Sequence, residues 1–249
     1  MVRPVRGGGY HWHEYSIAEL LPTAGYHEPM ALLLGCGDGS EKPYLAEAGY
    51  RALGLDVRIV SGGVDVLADA HALPLAGSSI DVALSMQVFE HLHAPWIAAA
   101  EVARVLRPGG WFIGSVAFLK HYHKSYFHMT HDGIARLLLD AGLHTDRLFG
   151  AESLAFGLVS PLIPDVALRP ARRLLGTFDR VVLAGRSLAW RITRRRSPDE
   201  VTTRYNQAPP LSFRAFDKLR YAPTVVFRAR KPSGASAVES SPAGNKRNE

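Results

Sequence analysis

Met30-Ala31-Leu32-Leu33-Leu34 is a wholly apolar run that breaks off into glycines, the pattern of a strand buried on both faces. Before it, Tyr10 to Leu21 carries aromatic and apolar residues at roughly helical spacing, and Pro22 stops the pattern. After it, Ser40–Ala48 predicts a helix ended by Gly49, Arg51–Val57 a second strand, and Val64–Val66 a short third. Ile80, Val82 and Leu84 alternate within Ser79–Ser85 and predict a fourth. Pro95–Leu106 predicts a helix closed by Arg107-Pro108-Gly109-Gly110. Trp111–Val116 then predicts a fifth strand, Gly133–Ala141 a helix before Gly142, and Leu143–Phe149 a sixth strand. Strands alternating with helices at this spacing predict a parallel sheet covered on both faces.

The pattern divides the chain into five parts. Residues 1–29 form an N-terminal segment and helix, and 30–150 the alternating core. Residues 151–220 are proline-punctuated and arginine-rich. Tyr221–Arg230, with Val225-Val226-Phe227, predicts a last strand within 221–231. Residues 232–249 are rich in Ser, Ala, Gly and Pro with almost no bulky apolar side chain, a composition that predicts disorder. Hydrophobic residues make up 47% of the 249, enough for a sizeable core. No uninterrupted apolar run reaches the ~18 residues of a membrane span. The N-terminus lacks the apolar stretch of a signal peptide. The single cysteine, Cys36, has no internal disulfide partner. The expectation is a cytoplasmic protein.

Leu34-Gly35-Cys36-Gly37-Asp38-Gly39-Ser40 lies between the first strand and its helix. Alternate glycines let the backbone turn tightly and let a ligand approach the main chain. Its spacing is G-x-G-x-G and not the G-x-G-x-x-G of dinucleotide folds, which counts against NAD. Asp56 closes the second strand, where an acid can accept both hydroxyls of a ribose. Asp69-Ala70-His71-Ala72-Leu73-Pro74 follows the third strand, and Glu90-His91-Leu92 follows the fourth. This ordered set, over roughly residues 30–142, resembles the class I S-adenosylmethionine-dependent methyltransferases, in their broad small-molecule branch.

The resemblance implies a doubly wound α/β fold, Rossmann-like, with a seven-stranded sheet whose last strand is antiparallel. It implies S-adenosyl-L-methionine as cofactor. Gly35, Gly37 and Gly39 would pass beneath its methionine and ribose, with Cys36 a small residue common in this loop. Asp56 would hold the ribose hydroxyls, Asp69 and the Ala70 amide the adenine, and Met86 and Gln87 the methionine end. Family members usually carry an acid two residues before the first glycine; here that position is Leu33, and Asp38 stands close enough in sequence to share the task.

Methyl transfer mostly needs a positioned nucleophile and exclusion of water. A hydroxyl acceptor also gains from a base, and histidine suits that near neutral pH. His121, His123, His128 and His131 crowd one stretch after the fifth strand, at the ligand-binding edge. His121, His123 and His128, with His91 after the fourth strand, are the candidate catalytic residues. Thr130 is placed as N-cap of the following helix. Although His-x-His is ligand-like, no paired carboxylates accompany it, and no metal is expected. O-methylation of a sugar, lipid-linked or other small metabolite follows as the expected activity. The alternatives are C- or N-methylation of a small molecule, or an inactive cofactor-binding regulatory module.

The net charge of +6 arises in one place: Arg169–Arg196 holds nine arginines and one acid, Asp179. Ala171, Leu174, Leu175, Phe178, Val181, Val182, Leu188, Ala189 and Ile192 recur there at steps of three and four, an apolar helical stripe. Such a helix could cover the active site. It could also meet an anionic membrane peripherally, or bind a phosphorylated substrate. Nucleic acid is not expected, because the arginines lack interleaved aromatics beyond Trp190.

Overall fold

The computed structural model describes residues 17–23, 28–59, 62–120, 123–151 and 222–233, with part of 174–185. The expected helix before residue 17, most of the 151–220 insert and the tail from 234 lie outside the described residues.

Seven strands form one sheet: β1 (Met30–Leu34), β2 (Arg51–Asp56), β3 (Val66–Leu67), β4 (Ile80–Met86), β5 (Leu106–Ala117), β6 (His144–Ala151) and β7 (Thr224–Arg230). Their order is β3-β2-β1-β4-β5-β7-β6. Strands β1 to β5 run parallel, and β7 enters antiparallel between β5 and β6. The expected doubly wound α/β sheet with an antiparallel last strand is therefore present. Helices α1 (Ile17–Leu20), α2 (Lys42–Glu47), α3 (Pro95–Val105) and α4 (His131–Asp140) flank it.

Strand residues alternate between two apolar layers, so the central strands need no polar face. Leu32, Leu34, Ala83, Phe112, Val116 and Phe227 pack with Ala98, Ala99 and Val102 of α3 and Ile134 and Leu138 of α4. Ala31, Leu33, Val82, Leu84, Ile113 and Val226 face the other way, toward Leu20 of α1 and Leu45 of α2. Each such large side chain contributes about 1.5–3 kcal/mol on burial. Leu33, the position where the resembled family places an acid, is 1% exposed and belongs to this core.

Of the strand boundaries that differ from those read in the sequence, two have a visible cause. β5 begins at Leu106, because Leu106 pairs with Ile80 before the register shifts and Trp111 takes up Val82. Arg107 holds both carboxylate oxygens of Asp81 at 2.7 and 2.8 Å, fixing this early segment against β4. β3 is Val66–Leu67 and not 64–66. The Asp65 carboxylate accepts the Gly54 amide at 2.6 Å and Lys42 Nζ at 2.7 Å, so Asp65 ties β2 to α2. That double hold keeps its carboxyl below the usual range, chiefly through the Lys42 ammonium.

Chain direction now places the site. From β1 the chain winds outward to β2 and β3, then crosses to β4 on the other side of β1. The loops leaving β1 and β4 therefore part company above the sheet and leave a crevice at its carboxyl edge.

Candidate functional site

The loop after β1 is shaped by the end of β2. Both the Gly35 and Cys36 amides donate to the Leu55 carbonyl, at 2.8 and 3.1 Å. The Gly37 amide donates to Asp56 Oδ2 at 3.0 Å, and Asp56 Oδ1 accepts from the Arg58 amide at 3.1 Å. Asp56 thus lies beside the glycine loop, where the sequence places it.

The three loop glycines do different things. A Cβ on Gly35 would fall 2.4 Å from Val88 Cγ2, and one on Gly39 would fall 2.9 Å from the Gly63 Cα. Those two exist for close packing, against the β4 loop and the loop before β3. Gly37 takes φ +51°, and a Cβ there would meet nothing within 4 Å. It borders open space directly beside the Asp56 carboxylate. A ligand with a hydroxyl-bearing ring fits this arrangement, since the open glycine admits it and the acid can accept from it.

Asp38, the candidate replacement for the acid missing at Leu33, is exposed and accepts the Ser40 amide at 3.1 Å. Cys36 is buried, with its Sγ 3.3 Å from the Gly63 carbonyl. Burial first, and then the Asp56 carboxylate, push its thiol up to about 11.

Asp69 follows β3 and holds His71 twice, accepting its amide at 2.9 Å and meeting Nδ1 at 2.6 Å. Those bonds, the amide foremost, keep the Asp69 carboxyl below the usual range. His71 Nε2 in turn accepts the Ala94 amide at the start of α3, which leaves Nδ1 as the protonated nitrogen facing Asp69. Ala70 is buried beneath this turn. Arg104 grips the Leu73 and Leu75 carbonyls at 2.9 Å and so anchors the segment that carries Asp69.

Met86 ends β4 and Gln87 follows with φ +57°. The Gln87 amide donates to the Ser115 carbonyl at 2.9 Å, and Lys120 Nζ donates to Gln87 Oε1 at 2.9 Å. The next residues, Phe89–His91, form a short 3-10 turn. Its Glu90 is 0% exposed and joins the two sides of the site. Glu90 Oε1 accepts the Ala117 amide at 3.2 Å, and its backbone carbonyl accepts the Tyr126 and Phe127 amides at 2.8 and 3.1 Å. The segment after β5 is thereby folded back over the turn after β4.

That fold-back gathers the histidines. The His91 and His123 rings meet edge to face with centroids 5.0 Å apart, and His128 lies 5.7 Å from His123. His123 Nε2 is 3.8 Å from Glu90 Oε1, His91 Nδ1 is 3.3 Å from the Lys124 carbonyl, and His128 Nε2 is 3.0 Å from Ser125 Oγ. His121 lies outside the described residues. Thr130 caps α4, accepting the Gly133 amide at 3.0 Å, which leaves His131 in the first turn of that helix. Glu90 was the residue whose part the sequence did not reveal. A glutamate directly before a histidine at a strand exit was visible, but its burial depended on the fold-back.

The methyltransferase domain family matches residues 32–114. An uncharacterized methyltransferase of Mycobacterium avium is 38% identical over 102 residues, covering 35% of this chain and 40% of its own length. A protein of Mycolicibacterium smegmatis named as an S-adenosylmethionine-dependent methyltransferase is 38% identical over 90 residues, 32% of this chain and 35% of its own. The match thus spans about two fifths or less of these curated relatives. In fold, a solved Bacillus halodurans structure assigned to the methyltransferases aligns over 84% of this chain and 95% of its own, at TM-score 0.51 and 12% identity. Over residues 32–114 the chain is thus similar to a methyltransferase domain, and its sheet has the fold of the Bacillus halodurans structure.

The buried thiol gives a direct check on the loop. Native protein should resist alkylation at pH 8, and unfolding in denaturant should expose one fully reactive thiol. Because folding raises this acid's pKa, its share of stability is complete below the ordinary thiol value and fades as pH climbs toward about 11. Denaturation midpoints measured across that alkaline range should fall less steeply in Cys36→Ala.

Proposed function

We propose that the protein is an S-adenosylmethionine-dependent methyltransferase acting on an oxygen of a small acceptor: a sugar, a lipid-linked group or another small metabolite. The observation that carries this reading is the meeting of His91, His123 and His128 at the carboxyl edge of the sheet.

Asp56 is assigned the ribose hydroxyls, Asp69 and the Ala70 amide the adenine, and Met86 and Gln87 the methionine end. Gly37 supplies the open floor, while Gly35, Cys36 and Gly39 give the loop its course. When bound, the cofactor supplies a methyl group on a cationic sulfur, released as a new C–O bond forms and the old C–S pair returns to sulfur. The chain's part is to hold the acceptor in line and to take its proton. His128 is exposed on the cluster's outer side and is suited to receive the hydroxyl proton at Nε2.

A second reading concerns the basic insert. Its described residues 174–175, 177–178, 181–182 and 184–185 are helical. Leu174, Phe178 and Val181 are 72%, 60% and 68% exposed, so the apolar stripe of the sequence is not spent on the core. With nine arginines around it, this stripe supports peripheral contact with an anionic membrane. No helix of the described residues is long and apolar enough to cross one.

Three measurements test these assignments. Calorimetry should show binding of S-adenosylmethionine and of its demethylated product, and Asp56→Ala should weaken both by about 1.5–3 kcal/mol, the worth of hydrogen bonds to an ionised acceptor. Absence of any binding would remove the enzyme reading altogether. With radiolabelled methyl donor and fractionated extracts, the labelled product should carry an O-methyl group. His128→Ala should then cut turnover roughly 10²–10⁴-fold without changing cofactor affinity, and full activity would exclude His128 as the base. Finally, the protein should cosediment with anionic vesicles at low salt and leave them as salt shortens the Debye length. Neutral vesicles should bind poorly, and charge reversal at Arg172, Arg173, Arg194, Arg195 and Arg196 should abolish binding. Indifference to anionic vesicles at low salt would make the helix an active-site cover.

A further inference from the structure

We propose that Glu90, His91 and His123 form a binding site for a divalent transition-metal ion. The site departs from the expectation, drawn from the sequence, that no metal is held. There the histidines had no acid partner; in the fold, the buried Glu90 supplies one.

The geometry carries the inference. One donor atom from each of the three residues lies within 4.8 Å of the other two. Donors bound at about 2.0–2.2 Å in tetrahedral geometry stand about 3.4 Å apart, so closure on an ion asks for a contraction of at most about 1.4 Å. Rotation of two imidazoles can supply it. The donors come from two elements, the turn after β4 and the segment after β5, and Glu90 already holds these together through the Ala117, Tyr126 and Phe127 amides.

Two further features point to a cation. Glu90 is 0% exposed, and its Oε2 has no hydrogen-bond partner among the described residues. A carboxylate buried with one oxygen unmatched is costly, and a bound cation satisfies both the charge and the lone pairs. Second, the Lys124 carbonyl lies at the Nδ1 side of His91. A proton on Nδ1 directed to that oxygen leaves the Nε2 lone pair for the ion, the usual outer support of a ligating histidine.

Two imidazole nitrogens and one carboxylate oxygen select a borderline ion of the Zn²⁺, Fe²⁺, Mn²⁺ or Co²⁺ kind over Ca²⁺ or Mg²⁺. Three protein ligands leave coordination positions open. An acceptor hydroxyl taking one of them would lose its proton more readily. That role rests on the O-methylation reading above, and it leaves His128 as the proton's receiver; the site itself stands apart from that reading.

The test uses tag-free, full-length protein freed of metal by chelation, titrated with Co²⁺ and followed by its visible d–d absorption. One Co²⁺ should bind per chain, with Zn²⁺ displacing it. His123→Ala and His91→Ala, whose side chains are not buried, should each weaken binding by more than the roughly 10–100-fold expected for loss of an outer partner. Glu90→Gln should do the same while its amide oxygen still accepts from Ala117. His144→Ala, at the opposite edge of the sheet, should bind as the unaltered protein does. No d–d band, or affinity in either histidine variant unchanged from that of the unaltered protein, overturns the proposal. Calorimetry with S-adenosylmethionine on the same samples separates the two claims. Metal without cofactor binding would sink the methyltransferase reading alone, and cofactor without metal binding the metal site alone.

Discussion

The carbonyl of Leu55 and the carboxylate of Asp56 between them accept the amides of Gly35, Cys36 and Gly37. Three successive amides of the loop after β1 are therefore directed by two successive residues of the neighbouring strand. A parallel ladder makes this possible: Leu34 and Leu55 are register partners, so both strands end at the same height. The loop cannot take another course without leaving polar groups unpaired near the core. Everything at the carboxyl edge inherits that placement. Gly63 closes on Gly39, Cys36 is sealed beneath, and of the three loop glycines Gly37 borders open space.

The second half of the site depends on a different device. A buried carboxylate is ordinarily a defect, and burial does push the Glu90 carboxyl above the usual range. Here its side chain receives an amide from the last residue of β5 and its backbone two from the segment after β5, so one residue fixes the path of a long connection. His91 and His123, 32 positions apart in the chain, are brought ring to ring by it. The glycine-loop side of the crevice is set by hydrogen bonds of the main chain, and the histidine side by one buried acid.

What could be read beforehand follows the same division. Period-two and period-3.6 patterning is local, and it located the strands and helices that bury two faces. The glycine loop, Asp56 and the capping Thr130 were legible because each acts on residues a few positions away or at a strand end. The boundary of β5 was not, since Leu106 joins the sheet through Ile80 and the Arg107–Asp81 pair, contacts distant in sequence. Glu90 escaped for the same reason. The alternating glycines looked equivalent along the chain, yet their separate tasks are set by Val88 and Gly63, neither of which the spacing reveals.

Val88 has one more implication. Its methyl groups stand where a Gly35 side chain would begin, and it lies two residues before Glu90. The glycine loop after β1 and the turn after β4 are consequently not separable modules. A lineage that moves the Phe89–His91 turn must carry Val88 with it and reopen the space above Gly35. The course of the turn is thus inherited together with that of the glycine loop, and drift in one is restrained by the other.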